Sequence, residues 1–317
     1  MNRPAGLLTR LSGKLRRFFL DPEGAEVALE FSSEGVAGAR VEWRRGHLEL
    51  RALASVPLSD GAFLPTLLDP GFMDRESLRD AVKSVLARIG AAPSVRAAIV
   101  VPDAVARFRL FTPEEVGTEL KKRDTVVAFR MQKLLPFPAS DVRVASAFSR
   151  SVADPVLGIG FSASVLSAYE QVGQAFGLDV GSVETSSMAL LRGLPQGGDA
   201  LLVRHDPSYL TLTLIRDGWP MSIRSFDASV AGRGEEGRRE IASTAVFWRD
   251  RLAGQQIEDA FVHASDSWFD ELSGDITAGF GCAPKRVKPP VSLLVPGTPT
   301  SVQRSATPAL TLLGAVH

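Results

Sequence analysis

The sequence predicts an α/β fold made of two similar halves, and three observations carry that expectation. The stretch 201–224 reads as a three-stranded meander. Leu201, Leu202 and Val203 form an apolar run, Asp206, Pro207 and Ser208 a polar turn. Leu210, Leu212 and Leu214 then alternate with Thr211 and Thr213 at the period of a strand. Asp217-Gly218 makes a second tight turn, and residues 221–224 supply a third short strand. An earlier stretch repeats the design, with strands at 27–31, 36–43 and 47–50 separated by turns at 32–35 and 45–46. Two copies of one unit far apart in a chain point to two half-folds facing each other. The remaining segments alternate strands with helices, the pattern of an α/β protein.

Taken in order, the chain begins with a basic amphipathic segment, residues 1–22. Leu7, Leu8, Leu11, Leu15, Phe18 and Phe19 share one helical face, and Arg3, Arg10, Lys14, Arg16 and Arg17 supply positive charge. Residues 7–19 read as a helix docked on the domain, as a frayed tail, or as a peripheral contact with an anionic membrane surface. Gly13 weakens both helical readings. After the first meander, residues 58–73 read as a loop punctuated by Pro65, Pro70 and Gly71. Asp74 is placed to cap a helix whose apolar face is Leu78, Ala81, Val82, Val85, Leu86 and Ile89, and Gly90 stops it. A buried strand at 95–101 and β character at Phe108, Leu110 and Phe111 follow. Pro113-Glu114-Glu115 has the composition of a helix start. The helical pattern resumes through Val126, Val127, Phe129, Met131, Leu134 and Leu135, and proline forbids continuation at Pro136-Phe137-Pro138.

Strands are predicted over 142–148, 156–163 and 180–183, and helices over 164–176 and 185–194. Pro195-Gln196-Gly197-Gly198 is the hinge into the second half. Beyond the second meander, Gly232, Gly234 and Gly237 mark a charged loop, 240–252 a helix, 260–262 a core strand, and Trp268, Phe269 and Leu272 the next helix. Residues 286–288 are extended, 291–305 are proline-dotted, and 308–316 form a terminal helix.

The composition narrows the function. A chain of 317 residues is long enough for about two domains and a sizeable core. Hydrophobic and charged contents of 45% and 23% are those of globular proteins. A formal net charge of zero gives no reason to expect a nucleic-acid partner. Cys282 is the single cysteine, so an intrachain disulfide is impossible, which fits a reducing compartment. No apolar run approaches the roughly 20 residues of a membrane helix, and Lys14, Arg16 and Arg17 break up the N-terminal apolar residues where a secretion signal would need continuity. A soluble, cytoplasmic protein is expected. His47, His205, His263 and His317 have no metal-ligand spacing, so no metal site is expected. There is neither a Gly-x-x-x-x-Gly-Lys phosphate loop nor a Gly-x-Ser-x-Gly elbow. His205-Asp206 beside Ser208 does not make a triad by adjacency alone.

The paired meanders, each with a turn after its first strand, resemble the actin-like (ribonuclease H-like) two-lobed ATPase architecture. Residues from about 25 to 316 also resemble the PilM family of type IV pilus assembly proteins, with related pieces in FtsA and the GspL cytoplasmic domain. The local matches are Leu135-Pro136-Phe137-Pro138 after a helix, and the strand 178–184 ending in Glu184 before another helix. The resemblance implies a first half at 23–195 carrying a small inserted α+β subdomain at about 74–150, and a second half at 196–317. It also implies a cytoplasmic protein peripheral at the inner membrane that binds the cytoplasmic tail of a PilN-like bitopic protein. Phe129, Lys133, Leu135 and Phe137 are the walls expected for that peptide.

In the resembled family the two turns grip nucleotide phosphates, and each carries Asp-Ile-Gly. Here the first reads Glu30-Phe31-Ser32 and the second Arg204-His205-Asp206. A Gly-rich third turn is replaced by His263-Ala264-Ser265-Asp266-Ser267. Ser32 stands where glycine would let backbone N–H groups close on phosphate, and Arg204 where an acid would position a metal-bound water. Loss of hydrolysis is therefore expected, with no bound cofactor. If Mg-ATP binding is retained, its residues would be Glu30, Ser32, Ser33, Asp206 and Ser208. Three readings follow: a non-catalytic scaffold of a type IV pilus or type II secretion platform, an active ATPase of the same fold with nucleotide-switched partner binding, and an FtsA-like filament protein tethered through residues 7–19.

Overall fold

The computed structural model describes residues 25–44, 47–117, 119–149, 151–227, 234–252 and 256–287. The amphipathic segment 7–19 and the C-terminal stretch from 291, with its expected helix at 308–316, lie outside them.

Two five-stranded sheets with the same internal order make the framework. In the first half, β1 (Val27–Ser32), β2 (Gly35–Arg44) and β3 (His47–Pro57) form an antiparallel meander, and β1 continues in parallel into β4 (Arg96–Val101) and β8 (Asp179–Thr185), giving the order β3-β2-β1-β4-β8. In the second half, β9 (Asp199–Asp206), β10 (Tyr209–Arg216) and β11 (Trp219–Asp227) repeat the meander. There β9 pairs in parallel with β12 (Asp259–His263), which pairs with β13 (Pro284–Arg286), giving β11-β10-β9-β12-β13. Each first strand is central. Val27, Ala28 and Leu29 of β1 and Leu201, Leu202 and Val203 of β9 are fully buried, as expected for strands covered on both faces.

Helix α1 (Arg75–Ile89) covers the first sheet with its six-residue apolar face. The Asp74 carboxylate accepts the Ser77 N–H at 3.0 Å, and Gly90 ends the helix in the left-handed region at φ 65°, as the sequence predicts. Between β4 and β8 the chain forms a third, smaller antiparallel sheet of order β5-β7-β6, from β5 (Ala106–Phe111), β6 (Val142–Ala147) and β7 (Val156–Ser162). The one-turn helix α2 (Pro113–Val116) starts with a Thr112–Glu115 capping box and leads into α3 (Leu120–Gln132). Helix α4 (Ala163–Ala175) then returns the chain to the first sheet, and α5 (Ser186–Arg192) leads into the second half. There α6 (Glu235–Arg251) and α7 (Asp266–Phe280) cover the second sheet with Ile241, Ala245, Trp248, Leu272 and Ile276.

Two sequence expectations shift. The insertion placed at about 74–150 does not include the helix at 75–89. That helix packs on β2 and β3 of the first sheet, and the small sheet extends on to Ser162. Helical periodicity reveals that a face is buried but not which sheet buries it. The helix expected from residue 240 begins at Glu235, because Glu235 and Glu236 favour the positive end of the helix dipole and offset Gly237.

Helix α3 sits on the small sheet through a close approach at Gly158 of β7. A Cβ there would stand 2.9 Å from Phe111 Cε2 and from Val127 Cγ1, and 3.0 Å from Met131 Cγ. Gly158→Val is expected to cost about 1–3 kcal/mol by overpacking, read as a lower unfolding midpoint. An unchanged midpoint would mean that the helix does not seat against this strand.

Candidate functional site

The two turns that follow the central strands meet each other directly. Ser33, in the turn after β1, donates its N–H to Asp206 Oδ2 at 2.9 Å and its hydroxyl to Ser208 Oγ at 2.9 Å. The other Asp206 oxygen accepts the Ser208 N–H at 2.9 Å and the Ser208 hydroxyl at 2.6 Å. Asp206 thus closes its own turn and holds the turn of the opposite lobe with the same carboxylate. Ser32 is turned inward on its own hairpin, donating to Gly35 O at 2.9 Å.

Beneath these turns lies a buried ionic cluster. Arg204 on β9 is 2% exposed. Its Nε donates to Ser186 Oγ at 2.8 Å and its Nη1 to the His205 carbonyl. Its Nη2 lies 3.4 Å from Glu30 Oε1 and 3.9 Å from Asp206 Oδ2. Ser186 passes the connection on by donating to Glu30 Oε1 at 3.4 Å. The guanidinium also stands over the Tyr209 ring at 5.6 Å. Burial opposes its charge, but Tyr209, Glu30 and Asp206 more than offset that and hold its pKa above the usual value. Burial likewise pushes the Tyr209 hydroxyl well above its ordinary range.

Asp103, in the 3₁₀ turn after β4, is a third buried carboxyl in the same seam. It accepts the Ser187 N–H at 3.0 Å and the Ser187 hydroxyl. Burial raises its pKa despite these bonds. After β12, Trp268 lies against His205 with ring centroids 4.1 Å apart, and Asp266 pairs with Arg286 at 3.1 Å.

The five residues named for a nucleotide therefore converge on one seam. Glu30, Asp206 and Ser208 are buried there, and Ser33 bridges it. Ser33, Asp206 and Ser208 bond one another, Glu30 bonds Arg204 and Ser186, and Ser32 bonds its own hairpin. Sequence reasoning did not single out Asp103, Ser186, Ser187 or Tyr209. The available signal was the hydroxyl run Thr185-Ser186-Ser187 directly after Glu184, at the end of a strand buried on the core side.

The expected partner-binding residues separate. A groove of about 570 Å³ lies between α3 and β5. Phe129, Lys133, Leu134 and Val126 line one side and Arg109 and Phe111 the other. Phe129 is 57% exposed, with Lys133 Nζ 4.2 Å above its ring. Arg109 and Arg130 both approach Glu115, at 3.4 and 4.0 Å. Leu135, expected as a wall, is buried beside Met131, faces Gly160 of β7 and lies outside the groove lining. Phe137 is half-buried and lies outside the groove lining. Among the described residues no helix is long and apolar enough to cross a membrane, and no cluster of potential metal ligands is found.

Solved structures share this architecture. A chain of the PilM–PilN type IV pilus biogenesis complex matches with a TM-score of 0.72 at 16% identity, over 93% of this chain and 99% of that one. Weaker matches are the cytoplasmic domain of EpsL, an inner-membrane component of the type II secretion system of Vibrio cholerae (TM-score 0.49, 9% identity, 92% of this chain and 94% of that one), and a Bacteroides thetaiotaomicron protein of unknown function with an actin-like ATPase fold (0.48, 12%, 86% and 91%). No protein-family profile and no curated protein matches the chain. The fold is the two-lobed actin-like α/β fold with a small inserted subdomain in its first half.

The seam gives stability a pH dependence. Because Asp103 holds its proton more tightly when folded, its contribution is complete below the ordinary value of 3.8 and is lost as pH rises toward the raised folded value. Asp103→Asn carries no charge at any pH. In urea unfolding, the stability advantage of the wild type over this variant should shrink as pH rises from about 4 to about 7. An advantage that grows over that range would place the carboxylate in a site that favours its charge.

Proposed function

We propose that this protein is a non-catalytic, actin-like scaffold of a type IV pilus or type II secretion platform, and that it binds the cytoplasmic tail of a PilN-like bitopic membrane protein without a nucleotide cofactor. The observation that carries this reading is the direct bonding of Ser33 to Asp206 and Ser208 across the lobes. Two turns that bond each other across the lobes favour a reading in which no triphosphate stands between them. The fold likeness to a chain of the PilM–PilN complex supports the choice of partner. On this reading the protein works in the cytoplasm, peripheral to the inner membrane.

The groove between α3 and β5 fits a short tail segment. Its floor is apolar at Phe111 and Val126, and Phe129 and Leu134 present apolar surface to an incoming side chain. Arg109, Arg130 and Lys133 form a basic rim suited to the carbonyls or acidic groups of a peptide. Phe129 is the anchor of this surface, because an exposed aromatic beside a cation contributes more per residue than the polar rim.

Calorimetry with a synthetic peptide of the partner's cytoplasmic tail tests this. Phe129→Ala should weaken binding by about tenfold or more, equivalent to about 1.4 kcal/mol, while the unfolding midpoint stays unchanged because the side chain is exposed. Affinity should be the same with and without Mg-ATP. Wild-type affinity in the variant would place the peptide elsewhere, and binding that requires Mg-ATP would refute the nucleotide-independent scaffold.

A further inference from the structure

We infer that Arg204 is a tethered cation that latches the two lobes together, its guanidinium reaching from the second lobe into a polar site built by the first. The guanidinium belongs to β9 of the second sheet. Two of its partners, Glu30 on β1 and Ser186 at the start of α5, belong to the first half. All of these side chains are at most 4% exposed. Asp206 adds a second carboxylate from the second lobe, and through Ser33 that carboxylate also touches the first.

Charge bookkeeping explains why one cation suffices to close the seam. Glu30 and Asp206 are buried carboxylates from opposite lobes, and bringing them together without a cation would leave two like charges in a site sheltered from water. The planar fork of arginine matches this geometry. Nε serves Ser186, Nη1 the His205 carbonyl, and Nη2 lies between the Glu30 and Asp206 oxygens. The site is thus a cation site whose occupant is covalently part of the chain, and closure of the lobes needs no added ligand. This inference stands apart from the choice of partner, since the latch could hold in a protein that binds another tail.

Arg204→Ala tests it in the full chain by thermal unfolding and small-angle scattering. Removing one member of a buried ion cluster is expected to lower the midpoint by about 10 °C. The radius of gyration should increase as the lobes separate. About 20 mM guanidinium chloride, far below denaturing concentrations, should raise the variant's midpoint relative to an equal concentration of sodium chloride and leave the wild type unraised. Arg204→Lys, which keeps the charge and loses the fork, should fall between the two. If Arg204→Ala does not fold, Ser186→Ala and Glu30→Gln carry the test, each expected to lower the midpoint and widen the scattering profile. A wild-type profile in whichever variants fold, or a loss of stability that guanidinium does not relieve in a still compact Arg204→Ala, would overturn the latch and leave Arg204 an ordinary buried residue.

Discussion

Everything about this molecule turns on how two halves with acidic edges tolerate being pressed together. Each half presents its central strand end-on to the other, and each strand ends in or near a carboxylate: Glu30 on β1 and Asp206 on β9. Buried carboxylates repel and lose their hydration, so a closed arrangement demands a compensating positive group. Arg204 supplies it, and the serine hydroxyls and N–H groups around it satisfy the remaining acceptors. Through these bonds the side chains of one lobe are held by those of the other. The small sheet between β4 and β8 is an attachment of the first lobe.

That attachment is where the surface changes character. Its inner face is built from Phe111, Val127, Met131 and Val156, packed against a glycine that admits the helix. Its outer face leaves Phe129 and Leu134 in solvent beside three basic side chains. Exposed large apolar groups clustered in a groove and rimmed by polar residues are what a docking surface looks like physically.

Much of the framework was legible because local signals agreed with the global fold. Alternation in 209–215, polar turns at 206–208 and 32–35, and the Asp74 and Gly90 caps each fix one element regardless of context. The convergence of Glu30, Ser33, Asp206 and Ser208 was legible too, since the duplicated meander makes the two turns equivalent. What escaped were properties that depend on what lies opposite. Leu135 and Phe129 share one apolar pattern, and only the position of β7 decides that the first is core and the second exposed. Asp103 follows a proline in a turn and reads as solvated, yet the second lobe covers it completely. Arg204 was visible as a substitution for an acid, but its role as a counter-charge requires Glu30 and Ser186, 174 and 18 positions away, to be seen beside it.

The most direct test of the central claim is equilibrium titration of the full-length wild-type protein with Mg-ATP. A seam already filled by Arg204 and by the Ser33–Asp206 bond should give no saturable heat at nucleotide concentrations up to the millimolar range, about where a binding free energy of 4 kcal/mol would register. Saturable binding at micromolar concentration, with one nucleotide per chain, would contradict it and return the cleft to the status of a working site.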